Sequence, residues 1–216
     1  MKNLDFDLLP DIPKAFPLLL EFGAGKYPVL NRLGYLNERI NACYHFLFTL
    51  FHEKDTNFRA AYFRAALNEF VGISQIFKEY NSGGLDEIIT DNLPYPLIHF
   101  FKLLRDVNFH ITTIQHNSWD VQFALVNLSK PNQERENSEY YLASLSVIDY
   151  EDLQYIKSTR NAKHYEAPDL ARIINWVEIM QRKNGINYLF SLAIDQYCSV
   201  IAEYLNRTPD SKSFLR

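Results

Sequence analysis

Between Leu33 and Glu53 the apolar residues Leu36, Ile40, Cys43, Leu47 and Leu50 recur three or four positions apart. That period places them on one face of a helix. In 57–80 the stripe returns as Ala60, Phe63, Leu67, Phe70, Ser74 and Phe77. Asp55-Thr56-Asn57 supplies N-cap chemistry before it, and Asn81-Ser82-Gly83-Gly84 a stop after it. Pro96 suits the first turn of a third helix over about 96–110. That helix is expected to end where Ile111-Thr112-Thr113-Ile114 begins, because β-branched runs favour extended backbone.

Residues 111–150 change period. "SWDVQFALVN" alternates polar and apolar positions, as does part of "EYYLASLSVID", and the polar "LSKPNQEREN" between them reads as a turn. This predicts a β-hairpin. Helical spacing resumes from Tyr150, with "YEDLQYIKSTRNAKHY" as one piece. Pro168 opens the next, and Gly185 separates it from "INYLFSLAIDQYCSVIAEYL". Prolines and glycines keep residues 1–30 irregular apart from a short helical turn near "AFPLLLEF". The expected fold class is all-α, an up-and-down helical bundle with a small β-hairpin insert. One domain spans 1–216: an irregular segment 1–32, core helices 33–110, the insert 111–150 and C-terminal helices 151–207.

With 216 residues the chain can bury a core without staples. Seven Gly and nine Pro also favour long helices over a turn-rich sandwich. The net charge of −4 shows no global basic field, so any RNA contact must rest on a local patch. Cys43 and Cys198 are too few for a disulfide framework. The opening "MKNLDFDLLPDIPKAF" has acids and prolines where a signal peptide has a basic head and an apolar run. No apolar run approaches membrane-spanning length. A cytoplasmic protein with no membrane partner is the expectation.

"FKLLRDVNFHIT" (101–112) holds the first candidate chemistry. Arg105 can grip a phosphate through two parallel charge-assisted hydrogen bonds, and His110 can carry a proton near neutral pH. Asp106, four residues before His110, can orient the imidazole. On a regular helix Arg105 and His110 stand roughly 140° apart. Either the helix ends between them or a second copy completes the site. The bland alternative is a polar helix terminus, with His110 favourable near the C-terminal end. In "RNAKHY" (160–165), Arg160 and His164 are four apart with Asn161 beside the arginine and Lys157 and Lys163 adding charge. A second half of the site, a phosphate-binding patch and a solvated helix surface all fit it.

"RDVNFH" on a helical bundle resembles the signature of the HEPN superfamily: Arg, a polar or acidic residue, then His after four to six intervening positions. The resemblance covers the motif and four main helices, roughly 33–111 and 186–206. It does not extend to the first 30 residues or to 111–185. It implies a metal-independent endoribonuclease that needs no cofactor, with His110 as acid–base, Arg105 as phosphate stabiliser and Asp106 as orienting partner. It also implies a homodimer in which two motif helices meet, a role as toxin or phage-defence component, and a nucleotidyltransferase-like antitoxin as partner. "RNAKHY" departs from the signature in having three intervening residues.

Other polar residues carry less. His45 and His52, with Glu53, form a conceivable metal pair, but no Glu-x-x-His accompanies them. His99 and His116 read as structural, Arg59 and Arg64 as surface ion-pair formers, and Trp119 and Trp176 as core or interface residues. No phosphate loop, Cys-x-x-Cys or Gly-x-Ser-x-Gly occurs. Two functions remain: an RNA-cleaving enzyme working at 105–110 or 160–164, and a non-enzymatic dimerisation or partner-binding module on the same bundle.

Overall fold

A computed structural model describes residues 1–12, 26–79, 88–110, 116–125 and 139–207. The side chains of His110 and of residues 116–144 lie outside that description, as do "AFPLLLEF", the expected stop at 81–84, the 128–137 turn and "ITTI". The sequence of elements is α1 (Gly34–His52), α2 (Thr56–Glu79), α3 (Pro96–His110), β1 (His116–Leu125), β2 (Glu139–Ile148), α4 (Tyr150–Gln154), α5 (Ala167–Asn184) and α6 (Ile186–Arg207). The helical-bundle expectation holds. Among the described residues, no helix is long and apolar enough to cross a membrane.

The predicted stripes become the core. On α1, Leu36, Ile40, Cys43, Leu47 and Leu50 are buried, and on α2 so are Phe63, Leu67, Phe70, Ser74 and Phe77. Asp55 caps α2: its Oδ1 accepts from the Asn57 backbone N–H at 2.8 Å. This satisfies one of the donors that every helix start leaves open. α6 packs against α1, α3, α5 and β2. Its Phe190 stacks on Phe101 of α3 at 4.4 Å between ring centroids and meets Phe63 and Phe70 of α2 edge-on. Aromatic pairs prefer these two arrangements. Cys43 and Cys198 are buried free thiols.

The hairpin forms where the alternation placed it. β1 and β2 pair antiparallel from His116–Ile148 to Leu125–Glu139. Gln181 of α5 pairs with Ile148, the last residue of β2. Its Nε2 donates to the Ile148 carbonyl at 2.7 Å and its Oε1 accepts from the Ile148 N–H at 2.9 Å. A fully buried side-chain amide thus stands in for one residue of a neighbouring strand. Gly185, with φ +79°, ends α5 in a conformation that L side chains rarely adopt, and its N–H bonds to the Gln181 carbonyl.

Two expectations need correction. "YEDLQYIKSTRNAKHY" is not one helix: α4 gives way to 3-10 turns at Tyr155–Ser158 and Arg160–His164, separated by Thr159 in extended conformation. The Thr159 hydroxyl donates to the Ile156 carbonyl at 2.9 Å. Such local side-chain bonding competes with helix propagation. Arg59 is not a surface ion-pair former. It is 2% exposed and donates to the Ser146 hydroxyl of β2.

Replacing Gln181 with Leu should cost about 2–4 kcal/mol, because both Ile148 backbone groups lose their partner while buried. Urea unfolding measures this, and a loss below 1 kcal/mol would contradict the strand-surrogate role.

Candidate functional site

α3 is apolar almost all round. Leu97, Ile98, Phe100, Phe101, Leu103, Leu104 and Val107 are all buried, as in a helix enclosed by its neighbours. Besides the buried polar His99 and Asn108, it carries the charged Lys102, Arg105 and Asp106, spaced three and four apart and so on one face. That face lines a pocket of about 440 Å³. Ser74 and Lys78 of α2 form a second wall, Thr90 and Asp91 a third, and Lys2, Asn161 and His164 complete it.

Asp106, 8% exposed, joins the two sequence motifs. Its Oδ1 accepts from Arg105 Nη1 at 3.0 Å and its Oδ2 from Asn161 Nδ2 at 2.6 Å. The 3-10 turn explains why Asn161 and His164 arrive together. At three residues per turn, positions i and i+3 eclipse while i and i+4 diverge. Asn161 and His164 accordingly share the pocket, whereas Arg160 is exposed and is not among the lining residues. The expected pairing of Arg160 with His164 on one α-helical face is thereby corrected.

α3 runs without interruption through His110, so no helix end falls between Arg105 and His110. The roughly 140° between those positions therefore stands. His164 is the histidine that the described residues place in one pocket with Arg105.

Charge in the pocket is organised around Asp91. Lys2, Lys78 and Lys102 all reach its carboxylate, Lys2 at 3.2 Å. Partial burial would raise the Asp91 carboxyl, but hydrogen bonds and charge from Lys102 and Lys78 hold it well below the usual range. Burial lowers the Lys102 ammonium from its ordinary value, opposed by Asp91 and reinforced by the other two lysines. The two shifts are compatible, since one carboxylate shared among three cations repays each only in part. Lys2 is tethered further: its backbone N–H donates to the His164 carbonyl at 2.6 Å, which fixes the N-terminal segment beside the histidine.

Behind the pocket, His99 is 1% exposed. Its Nε2 lies 2.7 Å from the Leu93 carbonyl and its Nδ1 2.7 Å from the Tyr165 hydroxyl. A carbonyl only accepts, so Nε2 carries the proton and Nδ1 of the neutral ring accepts from Tyr165. These two bonds tie α3 to the segments that carry Asp91 and His164.

The remaining candidates are scattered. His45 and His52 are exposed on α1, and no group of His, Cys, Asp or Glu that could hold a metal occurs among the described residues. Trp176 packs partly buried against the core. His116 and Trp119 lie on β1, where side chains are not described. Sequence reasoning missed Lys2, Lys78 and Asp91, which have no local signal linking them to α3. Lys102 was findable, one turn before Arg105.

Compared with known proteins, the chain matches no family model, no curated protein and no solved structure. The pocket's own chemistry therefore carries the functional reading.

Burial pushes the His99 imidazole down to about 4. The unfolded chain, with an ordinary value of 6.5, then binds protons that the folded chain refuses, so stability falls as pH drops from about 6.5 toward 4. The expected loss by pH 4 is about 3 kcal/mol. Denaturant midpoints for wild type and His99→Gln measure it. The variant should show a correspondingly flatter pH dependence, and identical slopes would contradict the assignment.

Proposed function

We propose that the chain is a HEPN-like, metal-independent endoribonuclease whose reaction takes place in the pocket between α2, α3 and the 160–164 turn. The observation that carries this reading is the shared pocket of Arg105 and His164, with Asn161 and Asp106 hydrogen-bonded between them. Arg105 grips the scissile phosphate and offsets the charge that grows on its non-bridging oxygens. His164 accepts the proton of the ribose 2′-hydroxyl as that oxygen attacks phosphorus. The bond to the 5′-oxygen breaks, water protonates the leaving oxygen, and the products carry a 2′,3′-cyclic phosphate and a 5′-hydroxyl. Asp106 positions Arg105 and Asn161 and touches no reacting atom.

His110 remains the alternative acid–base, reached across a homodimer seam in which two α3 helices meet. A toxin or phage-defence role restrained by a nucleotidyltransferase-like partner belongs to the same proposal. The second reading is a non-enzymatic RNA- or partner-binding module. It is favoured by the Arg105–Asp106 ion pair, which occupies part of the guanidinium that a catalytic phosphate needs.

The test is RNA cleavage by purified protein in excess EDTA. Arg105→Ala and His164→Ala should each lower the rate about 10²–10⁴-fold, with cyclic phosphate ends in the wild-type product. Loss in His110→Ala with His164→Ala active would move proton transfer to the end of α3. No cleavage by wild type would leave the binding module.

A further inference from the structure

Arg105 and Asp106 neutralise each other, but the other side of the pocket does not balance. Three ammonium groups, from Lys2, Lys78 and Lys102, surround the single carboxylate of Asp91. Among the described side chains, that leaves a surplus of two positive charges on one wall. Each ammonium has three donors, and two carboxylate oxygens cannot take them all. The Lys102 side chain is only 15% exposed and that of Lys2 only 23%, so these charges are held in place and partly shielded from solvent screening.

The surplus has a matching ligand. A phosphodiester brings one negative charge to this wall, whereas a phosphomonoester brings about −1.5 to −2 near neutral pH and an extra acceptor oxygen. Lys102 stands one helical turn from Arg105, with Cβ atoms about 5–6 Å apart. A second phosphate group beside the one on Arg105 would therefore meet this wall. An adjoining hollow of about 390 Å³ continues past Lys2, Asp91 and His164, lined further by Asn3, Asn92 and Leu93. It gives a chain held at the lysines a way to extend.

We infer that Lys2, Lys78 and Lys102 form a terminal-phosphate subsite, which selects oligonucleotides carrying a phosphomonoester at one end. Asp91 is its resident counter-anion, keeping the three lysines assembled while the subsite is empty. The assignment of an oligonucleotide as ligand rests on the ribonuclease reading, whereas the preference for a dianionic phosphate rests on the lysine wall.

Binding of short all-2′-deoxy oligonucleotides, which lack the attacking hydroxyl, tests the subsite independently of cleavage. Probes of one sequence carry a 5′-phosphate, a 3′-phosphate or neither, and fluorescence anisotropy gives their affinities. One of the phosphorylated probes should bind roughly 10-fold or more tightly than the unphosphorylated one, and the two positions tell which end is read. Lys78→Gln, at a side chain that is half exposed, checked for a native circular dichroism spectrum, should remove most of that preference and lower the salt dependence of binding. Lys102→Gln, checked for a native circular dichroism spectrum, should do the same. Equal affinity for all three probes would overturn the inference. So would a preference that survives in both variants. Terminal-phosphate preference together with an uncleaved ribose version of the same probe would overturn the ribonuclease reading alone.

Discussion

The packing of α3 against α2 and α6 is the constraint on which the pocket depends. Phe101 stacks on Phe190, which also meets Phe63 and Phe70. Losing one such ring typically costs about 3–5 kcal/mol. With its apolar faces fixed, α3 has no rotation left that would hide Lys102, Arg105 and Asp106. They must face a polar space, and the fold provides one by bringing in the 88–92 segment, the N-terminal residues and the 160–164 turn. Ile88, Ile89 and Ala162 anchor two of those segments in the core, and Leu4 and Phe6 pack the N-terminal residues against it. Polar links then fix their orientation: His99 to Leu93 and Tyr165, Asp106 to Asn161, and Lys2 to both Asp91 and the His164 carbonyl.

These links place the chemistry and set its electrostatics together. Asp106 uses one oxygen on Arg105 and the other on Asn161, so the guanidinium and the turn carrying His164 are positioned by one carboxylate. Asp91 gathers three lysines in the same way. Each carboxylate organises cations without exhausting their donors, and an anion entering the pocket meets groups already oriented. Orientation in advance is what gives electrostatic stabilisation its value, because little reorganisation is left for the moment of reaction.

Much of the fold was legible in the chain. The stripes at Leu36–Leu50 and Phe63–Phe77 gave α1 and α2, Pro96 gave the start of α3, and alternation in 118–127 and 139–149 gave the hairpin. Period is a local property, and these elements obey it. The 155–164 region did not, because Thr159 sets a local hydrogen bond against the helix, and pattern alone does not decide which wins. That break changed the site reading: in a 3-10 turn Asn161 shares a face with His164 and Arg160 does not. Arg59 misled for a different reason, since only the hairpin packing on α2 shows why an arginine there is buried. Lys2, Lys78 and Asp91 come from three distant segments, and their convergence is a fact of tertiary structure. The charged triple Lys102, Arg105 and Asp106 on one face of α3 was a local hint of a pocket, since charged groups on a largely apolar helix need a polar space to face.

The central claim is that Arg105 and His164 act on one phosphate. A crystal structure of the protein soaked with an uncleavable 2′-deoxy dinucleotide tests it most directly. The account predicts density for a phosphate within hydrogen-bonding distance of both the Arg105 guanidinium and the His164 imidazole. A phosphate bound to Arg105 and the end of α3, with His164 turned to solvent, would contradict it.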